Sequence, residues 1–284
     1  MKLLVLGSRG QAGHMISLYM VERGHDVTGF DRTATTLCRP VVGDARDTEL
    51  VKELVVKGGF DAVINCIGIL NQFAENDKAL AAFLNGYLPH FLAEITKDLD
   101  TQIVHMSTDC VFSGKQGQYT ETSPRDGTTF YDRSKALGEL EDDKNITLRN
   151  SIVGPDMNPS GIGLLNWFMQ QRGQVQGYRQ ALWTGLSTLE LAKVMEKAVQ
   201  QKAHGLYNMV YKQPISKFDL LCLFNKHLRR YPVEVQPSDG NPSDKSLVRT
   251  RFDFAYEVPN YETMVAELGV WMREHSQLYP HYDL

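Results

Sequence analysis

An apolar run, Lys2-Leu3-Leu4-Val5-Leu6, leads directly into Gly7-Ser8-Arg9-Gly10-Gln11-Ala12-Gly13. Few chain paths accommodate that order. A glycine at the end of a strand lets the backbone reverse tightly, a second lets peptide N–H groups approach a pyrophosphate, and a third lets the following helix pack on the sheet. The helix N-terminus then faces an anion. The spacing is G-x-x-G-x-x-G rather than the commoner G-x-G-x-x-G, so taken alone it also fits an ordinary glycine-rich strand-to-helix turn.

The next strand carries the acidic residue that such a turn calls for. His25 to Phe30 reads as a short strand, and Asp31 follows it where a carboxylate commonly meets an adenosine ribose. Asp31 favours NAD. Arg32, directly after it, has the planar fork that pairs with a 2′-phosphate and so argues for NADP. Val41-Val42-Gly43-Asp44 has the form of a third strand, and Asp44 reads either as an acceptor for an adenine amino group or as the N-cap of a helix beginning near Asp47.

Strand-like and helical runs alternate along the first half: strands at 3–6, 27–30, 62–65, 102–106 and 145–149, with helices at 11–23, 48–56, 76–97 and 131–141. This alternation predicts parallel strands joined by crossover helices. The expected fold is α/β, a Rossmann-like doubly wound parallel sheet with a smaller C-terminal substrate-binding lobe. The boundary falls near Asn150, where the chain turns to glycine, proline and asparagine. That gives a NAD(P)-binding domain over 1–150 and a lobe over 151–284, with a strand near 206–210 returning to the main sheet. Ser187 with Glu190 and Ser216 with Asp219 read as helix starts, and Gln236 to Asp244 reads as an exposed loop. Ligand is expected beyond the carboxyl ends of the strands, at Gly7, Asp31, Cys66 and Ser107.

Composition narrows the partners. A formal net charge of -4 with no Lys/Arg-rich run gives no footprint for nucleic acid or an anionic membrane. Cys38, Cys66, Cys110 and Cys222 are widely spaced, with no C-x-x-C pair, and the eight histidines show no metal-ligand spacing. These features predict reduced thiols, no metal and a cytoplasmic protein, with a homodimer left open.

After the strand ending at Met106 comes Ser107-Thr108-Asp109-Cys110-Val111-Phe112, and Tyr131-Asp132-Arg133-Ser134-Lys135 lies further on. Tyr131 and Lys135 share one helix face. An ammonium beside a phenol is expected to lower its pKa and let Tyr131 exchange a proton near neutral pH, while a Thr108 hydroxyl holds a carbonyl oxygen. With these residues the chain resembles the extended short-chain dehydrogenase/reductases, and within them the dTDP-4-dehydrorhamnose reductase family. The matching residues are Gly7 to Gly13, Val63-Ile64-Asn65, Asn85, Ser107 to Phe112, Tyr119 with Glu121, Tyr131 to Lys135 with Gly138-Glu139, and Gly205-Leu206-Tyr207.

The resemblance implies NADP(H) or NAD(H), a nucleotide-linked 4-keto-6-deoxy sugar as substrate, and Thr108, Tyr131 and Lys135 as the catalytic set. The cofactor contacts expected with it are Gly7, Ser8, Arg9, Gly10, Gln11, Gly13, Asp31, Arg32, Asp44, Cys66, Ile67, Gly68 and Asn85, together with Tyr131 and Lys135. Thr108, Cys110, Tyr131 and Trp183 are the expected substrate contacts, although Trp183 also reads as core. Two departures from the family lie near the substrate. Cys110 replaces a usual tyrosine, and Ile67 to Phe73 lacks the usual acidic pattern. The related sugar-nucleotide dehydratases place a glutamate where Cys110 stands, and a thiol is a poor base in its stead. An NAD-retaining epimerase needs the same three residues. A non-catalytic NADP-binding subunit, as in the methionine adenosyltransferase beta subunit that the family resembles, would need none of them.

Overall fold

Residues 1–284 are described by a computed structural model. The first half winds as β1 (Lys2–Leu6), α1 (Gln11–Glu22), β2 (Asp26–Asp31), β3 (Arg39–Val42), α2 (Thr48–Gly58) and β4 (Ala62–Asn65). Next come α3 (Asn71–Asn76), α4 (Lys78–Ala81), a π-helical turn (Ala82–Tyr87), α5 (Leu88–Ile95), β5 (Gln102–Ser107), α6 (Phe130–Leu137) and β6 (Ile146–Arg149). The second half adds β7 (Ser151–Val153), α7 (Leu164–Met169), β8 (Gln174–Tyr178), β9 (Ala181–Trp183), β10 (Gly185–Ser187), α8 (Thr188–Gln201), β11 (Gly205–Asn208) and β12 (Ile215–Ser216). It ends with α9 (Lys217–His227), β13 (Glu234–Ser238), β14 (Ser243–Asp244) and α10 (Tyr261–Glu274).

Seven parallel strands form the main sheet in the order β11-β6-β5-β4-β1-β2-β3. Its central strands are buried on both faces, which is why Leu3 to Leu6 and Ala62 to Ile64 read as unbroken apolar runs rather than alternating ones. From β1 the chain winds outward through β2 and β3, then returns to place β4 on the other side of β1. The reversal leaves a crevice at the carboxyl ends of β1 and β4, where loops rather than helices cover the sheet edge. The strand expected to return does so: β11 pairs in parallel with β6, Tyr207 opposite Leu148. Both expected helix starts are present, with the Ser187 and Ser216 hydroxyls accepting from the Glu190 and Asp219 N–H groups. No helix is long and apolar enough to cross a membrane.

Three expectations are corrected. The single helix expected over 76–97 is broken: Asp77 leaves helical geometry and caps a new start by accepting from the Leu80 N–H, and the chain then widens into the π turn. That turn carries Asn85 inward to a fully buried position. The helix expected over 131–141 stops at Leu137. Its cap, Gly138, passes so close to the π turn that a Cβ there would lie 2.0 Å from the Asn85 carbonyl oxygen. Finally, the loop expected over 236–244 contains strand structure, because β13 pairs along all of β8. Its polar sequence and Pro237 suit an edge strand and hide it from periodicity.

The glycine turn is set by contact. Gly7 has a φ of +77°, and a Cβ on Gly13 would sit 2.0 Å from the Gly7 carbonyl oxygen. By contrast, Gly24 has a φ of +78° and open space around its missing Cβ. Gly13→Ala is therefore expected to cost about 3 kcal/mol by overpacking, and Gly24→Ala about 1 kcal/mol by backbone strain alone. Urea unfolding of the two variants measures the difference, and equal losses would show that the turn is not held by steric contact.

Candidate active site

Two cavities meet over the carboxyl ends of the strands. The first, about 550 Å³, runs from Gly7, Arg9 and Gly10 past Asp31 and Arg32 to Asp44 and Arg46. The second, about 410 Å³, lies over β5 and α6 and is walled by Thr108, Asp109, Cys110, Tyr131 and Lys135 on one side. Gly10, Cys66, Ile67 and Gly68 line both, so they form one continuous crevice with a waist at the glycine turn.

At the first cavity the Asp31 carboxylate accepts from the backbone N–H groups of Arg9 (3.1 Å) and Arg32 (2.8 Å). This fixes an acidic group at the end of β2 with lone pairs to spare. The Arg9 guanidinium donates to the Thr33 hydroxyl at 2.6 Å, and the Arg32 side chain is exposed beside it. Asp44 is not the N-cap of α2. Asp47 takes that place, accepting from the Leu50 N–H, while Asp44 holds Arg46 by both carboxylate oxygens and is kept below the usual carboxylate range by that guanidinium.

At the second cavity, Thr108 follows β5 and caps a short 3₁₀ turn. Its hydroxyl accepts from the Cys110 N–H and donates to the Asp109 carboxylate, both at 3.1 Å. The helix α6 begins with a capping box between Thr129 and Asp132, which sets the angle at which Tyr131 and Lys135 enter the crevice wall. Lys135 Nζ donates to the Met106 carbonyl at 2.6 Å. Burial brings this ammonium down to about 8, and the Glu139 carboxylate offsets part of the fall. The expected depression of Tyr131 is not observed. Burial pushes the phenol up, and the Thr108 hydroxyl offsets only part of the rise. Tyr131 is thus a protonated donor across the neutral range. Burial also pushes the Cys66 and Cys110 thiols up to about 12, so neither is a base at neutral pH.

Several expected contacts lie elsewhere. Trp183 is in the core, packed against Tyr261 with ring centroids 5.7 Å apart, and does not line the crevice. The Ser8 side chain is fully buried, where a Cβ on Gly29 would meet it. Gly13 packs against Gly7 rather than facing the cavity. Asn85 acts from behind: it accepts from the Ile69 N–H at 2.8 Å and donates to the Ile69 carbonyl and the Ser134 hydroxyl, each at 3.0 Å. It thereby ties the loop after β4 to α6. Gln11 lines the second cavity and donates to the Gly154 carbonyl at 2.9 Å.

The sequence reading missed Asn150, which follows β6 and lines the second cavity. Its side-chain oxygen accepts no hydrogen bond within the protein, although the residue is 3% exposed. Its position at a strand's carboxyl end is the signal that identifies it. No group of histidine, cysteine and carboxylate side chains is arranged to hold a metal.

A dinucleotide suits this crevice. Two of the four residues at its waist are glycines, and a Cβ on Gly10 would touch nothing nearer than 3.5 Å, so room there is open to a ligand rather than filled by protein. Solved structures with this architecture include the dTDP-4-dehydrorhamnose reductase of Bacillus anthracis in complex with NADP. Its TM-score is 0.79 at 18% identity, over 95% of this chain and 100% of that one. Another is the UDP-glucose 4-epimerase of Bifidobacterium longum in complex with NAD+ and UDP, with a TM-score of 0.73 at 18% identity over 97% and 99% of the two chains. The fold is that of the Rossmann-like extended short-chain dehydrogenase/reductases. Within that class the chain belongs to the family described as the RmlD substrate binding domain, whose model matches residues 1–252.

Relatives in sequence include a probable low-salt glycan biosynthesis reductase of Haloferax volcanii, 34% identical over 48% of this chain and 46% of that protein. The dTDP-4-dehydrorhamnose reductase of Burkholderia thailandensis is 35% identical over 49% of this chain and 45% of that protein. The chain thus spans about half the length of these relatives. A dTDP-4-dehydrorhamnose reductase of Aggregatibacter actinomycetemcomitans is 29% identical over 83% of this chain and 82% of that protein.

The four cysteines are free, and the raised pKa values of Cys66 and Cys110 set their reactivity. Both are expected to alkylate with iodoacetamide at neutral pH far more slowly than a free thiol, by about a hundredfold or more, since thiolate is the reacting form. Peptide mass spectrometry over a time course measures this, and rapid labelling of Cys110 would contradict its raised pKa.

Proposed function

We propose that the protein is an NAD(P)H-dependent reductase of a nucleoside-diphosphate 4-keto-6-deoxy sugar, working in the cytoplasm in nucleotide-sugar and polysaccharide biosynthesis. The observation that carries this reading is the convergence of Thr108, Tyr131 and Lys135 on one cavity that opens into the glycine-turn crevice. The names of the sequence relatives support it. When bound, the nicotinamide supplies a hydride.

The residues of the chain do the rest. Asp31 would accept from the adenosine ribose, and Arg32 would pair with a 2′-phosphate, so the first cavity suits NADP(H) and NAD(H) alike. The Thr108 hydroxyl would hold the ketone oxygen. Tyr131, kept protonated by burial, would give that oxygen its proton, and the Lys135 ammonium would hold the nicotinamide ribose. With Cys110 a thiol rather than a carboxylate, the site lacks the base that a sugar-nucleotide dehydratase needs.

Assay of NADPH and NADH oxidation with dTDP- and UDP-linked 4-keto-6-deoxy sugars tests the reading. Tyr131→Phe is expected to lower turnover about a thousandfold with cofactor affinity largely kept. Undiminished turnover would end the mechanism, and cofactor binding without oxidation would point to an epimerase or a non-catalytic subunit. The pH profile has a defined sign. The Lys135 ammonium is present below about 8 and lost above it, so kcat/KM should be level near neutrality and fall as pH rises through that value. Lys135→Arg, which stays charged, should remove the alkaline fall.

A further inference from the structure

Glu139 lies behind the crevice and lines neither cavity, yet three elements of the site converge on it. The Ser107 hydroxyl, one residue before Thr108, donates to one carboxylate oxygen at 2.5 Å. The Arg149 guanidinium, from the neighbouring strand, donates to both oxygens at 2.8 and 2.7 Å. A second cation, Arg125, donates to the same carboxylate from the loop before α6 and reaches on to Glu141. Lys135 stands one helical turn before Glu139 and is bound to the Met106 carbonyl. Lys135 and Glu139 therefore grip adjacent residues of one strand end, Met106 and Ser107, and Thr108 is the next residue.

The groups that face Lys135 from each packed element are few. His105 on β5 is buried and held neutral, well below its ordinary value. Cys66, after β4, remains a thiol. Tyr131 on the same helix remains a phenol. Glu139 alone among them carries a charge at neutral pH, held ionised by Arg149, Ser107 and Arg125 against its burial. Arg125 does not act on Lys135 directly, and its side chain is 30% exposed.

We propose that Glu139 is a positioning residue of the active site, which through its negative charge keeps the buried Lys135 protonated and through Ser107 fixes the strand end that presents Thr108. This rests on the reductase reading for what Lys135 does, but the titration of Lys135 can be followed without turnover.

The test is trace acetylation of the full-length protein with acetic anhydride across the neutral and alkaline range, quantified on the peptide that holds Lys135. Glu139→Gln removes a negative charge near the ammonium, so the onset of labelling should move down by about one pH unit. Arg125 does not act on Lys135, so in Arg125→Met the onset should stay where it is. Circular dichroism establishes that each variant is folded. If Glu139→Gln does not fold with Arg149 left unpaired, the double variant Glu139→Gln/Arg149→Met, which strands no buried charge, decides: a downward shift supports the proposal and an unchanged onset overturns it. An onset that stays fixed in folded Glu139→Gln, or that moves by as much in Arg125→Met, overturns it as well. Where turnover is measurable, the alkaline fall of kcat/KM should follow the labelling onset in each variant. Failure of the sugar assay alone would leave the labelling result intact and count only against the proposed function.

Discussion

The pair formed by Arg149 and Glu139 is the interaction on which the site is built. Both side chains are almost wholly removed from water, a state that two charges tolerate only when geometry is good and every remaining hydrogen-bonding position is used. Arg149 meets this by reaching Glu139 with two nitrogens, the Asn208 side-chain Oδ1 with a third, and the Phe112 ring with its face, 4.9 Å from the centroid. Phe112 in turn stacks on Tyr119. One ion pair thus links β5, β6, β11 and the turn after Thr108. Removing either partner strands a buried charge, at a cost of about 3 to 5 kcal/mol, and releases the strand end from which the cavity wall is built.

Asn208 carries the network outward. Its N–H donates to Glu121, whose other carboxylate oxygen accepts from the Thr250 N–H and hydroxyl, and its side chain donates to the Tyr119 and Val248 carbonyls. Residues far apart in sequence are therefore bound to one rigid seam beneath the crevice.

Much of this was legible beforehand, for physical reasons that differ by element. Strands buried on both faces announce themselves as apolar runs, and a turn that must approach its own helix must be glycine, so β1, β4, β5 and Gly7 to Gly13 could be placed from the residues. Thr108, Tyr131 and Lys135 were legible because a strand end and one helix face carry them. Asn85 was found by resemblance, but its position on a π turn was not, since an extra residue in a helix leaves no mark on composition. Trp183 misled because an aromatic side chain serves core and ligand equally well. The protonation of Tyr131 was misjudged because spacing shows that a lysine is near but says nothing of burial, which here outweighs the charge.

His14 is buried beneath the glycine turn, with Nδ1 3.0 Å from the Gly10 carbonyl and Nε2 2.9 Å from the Tyr279 hydroxyl. A carbonyl can only accept, so Nδ1 carries the proton and Nε2 receives one from Tyr279; burial keeps the ring neutral. The two partners are separated by 265 positions. A segment made early in synthesis therefore gains its last hydrogen bond from one made late. The buried ring beneath the waist thus depends for one of its two partners on residues that follow α10, and a chain cut before Tyr279 would leave Nε2 buried with nothing to accept from.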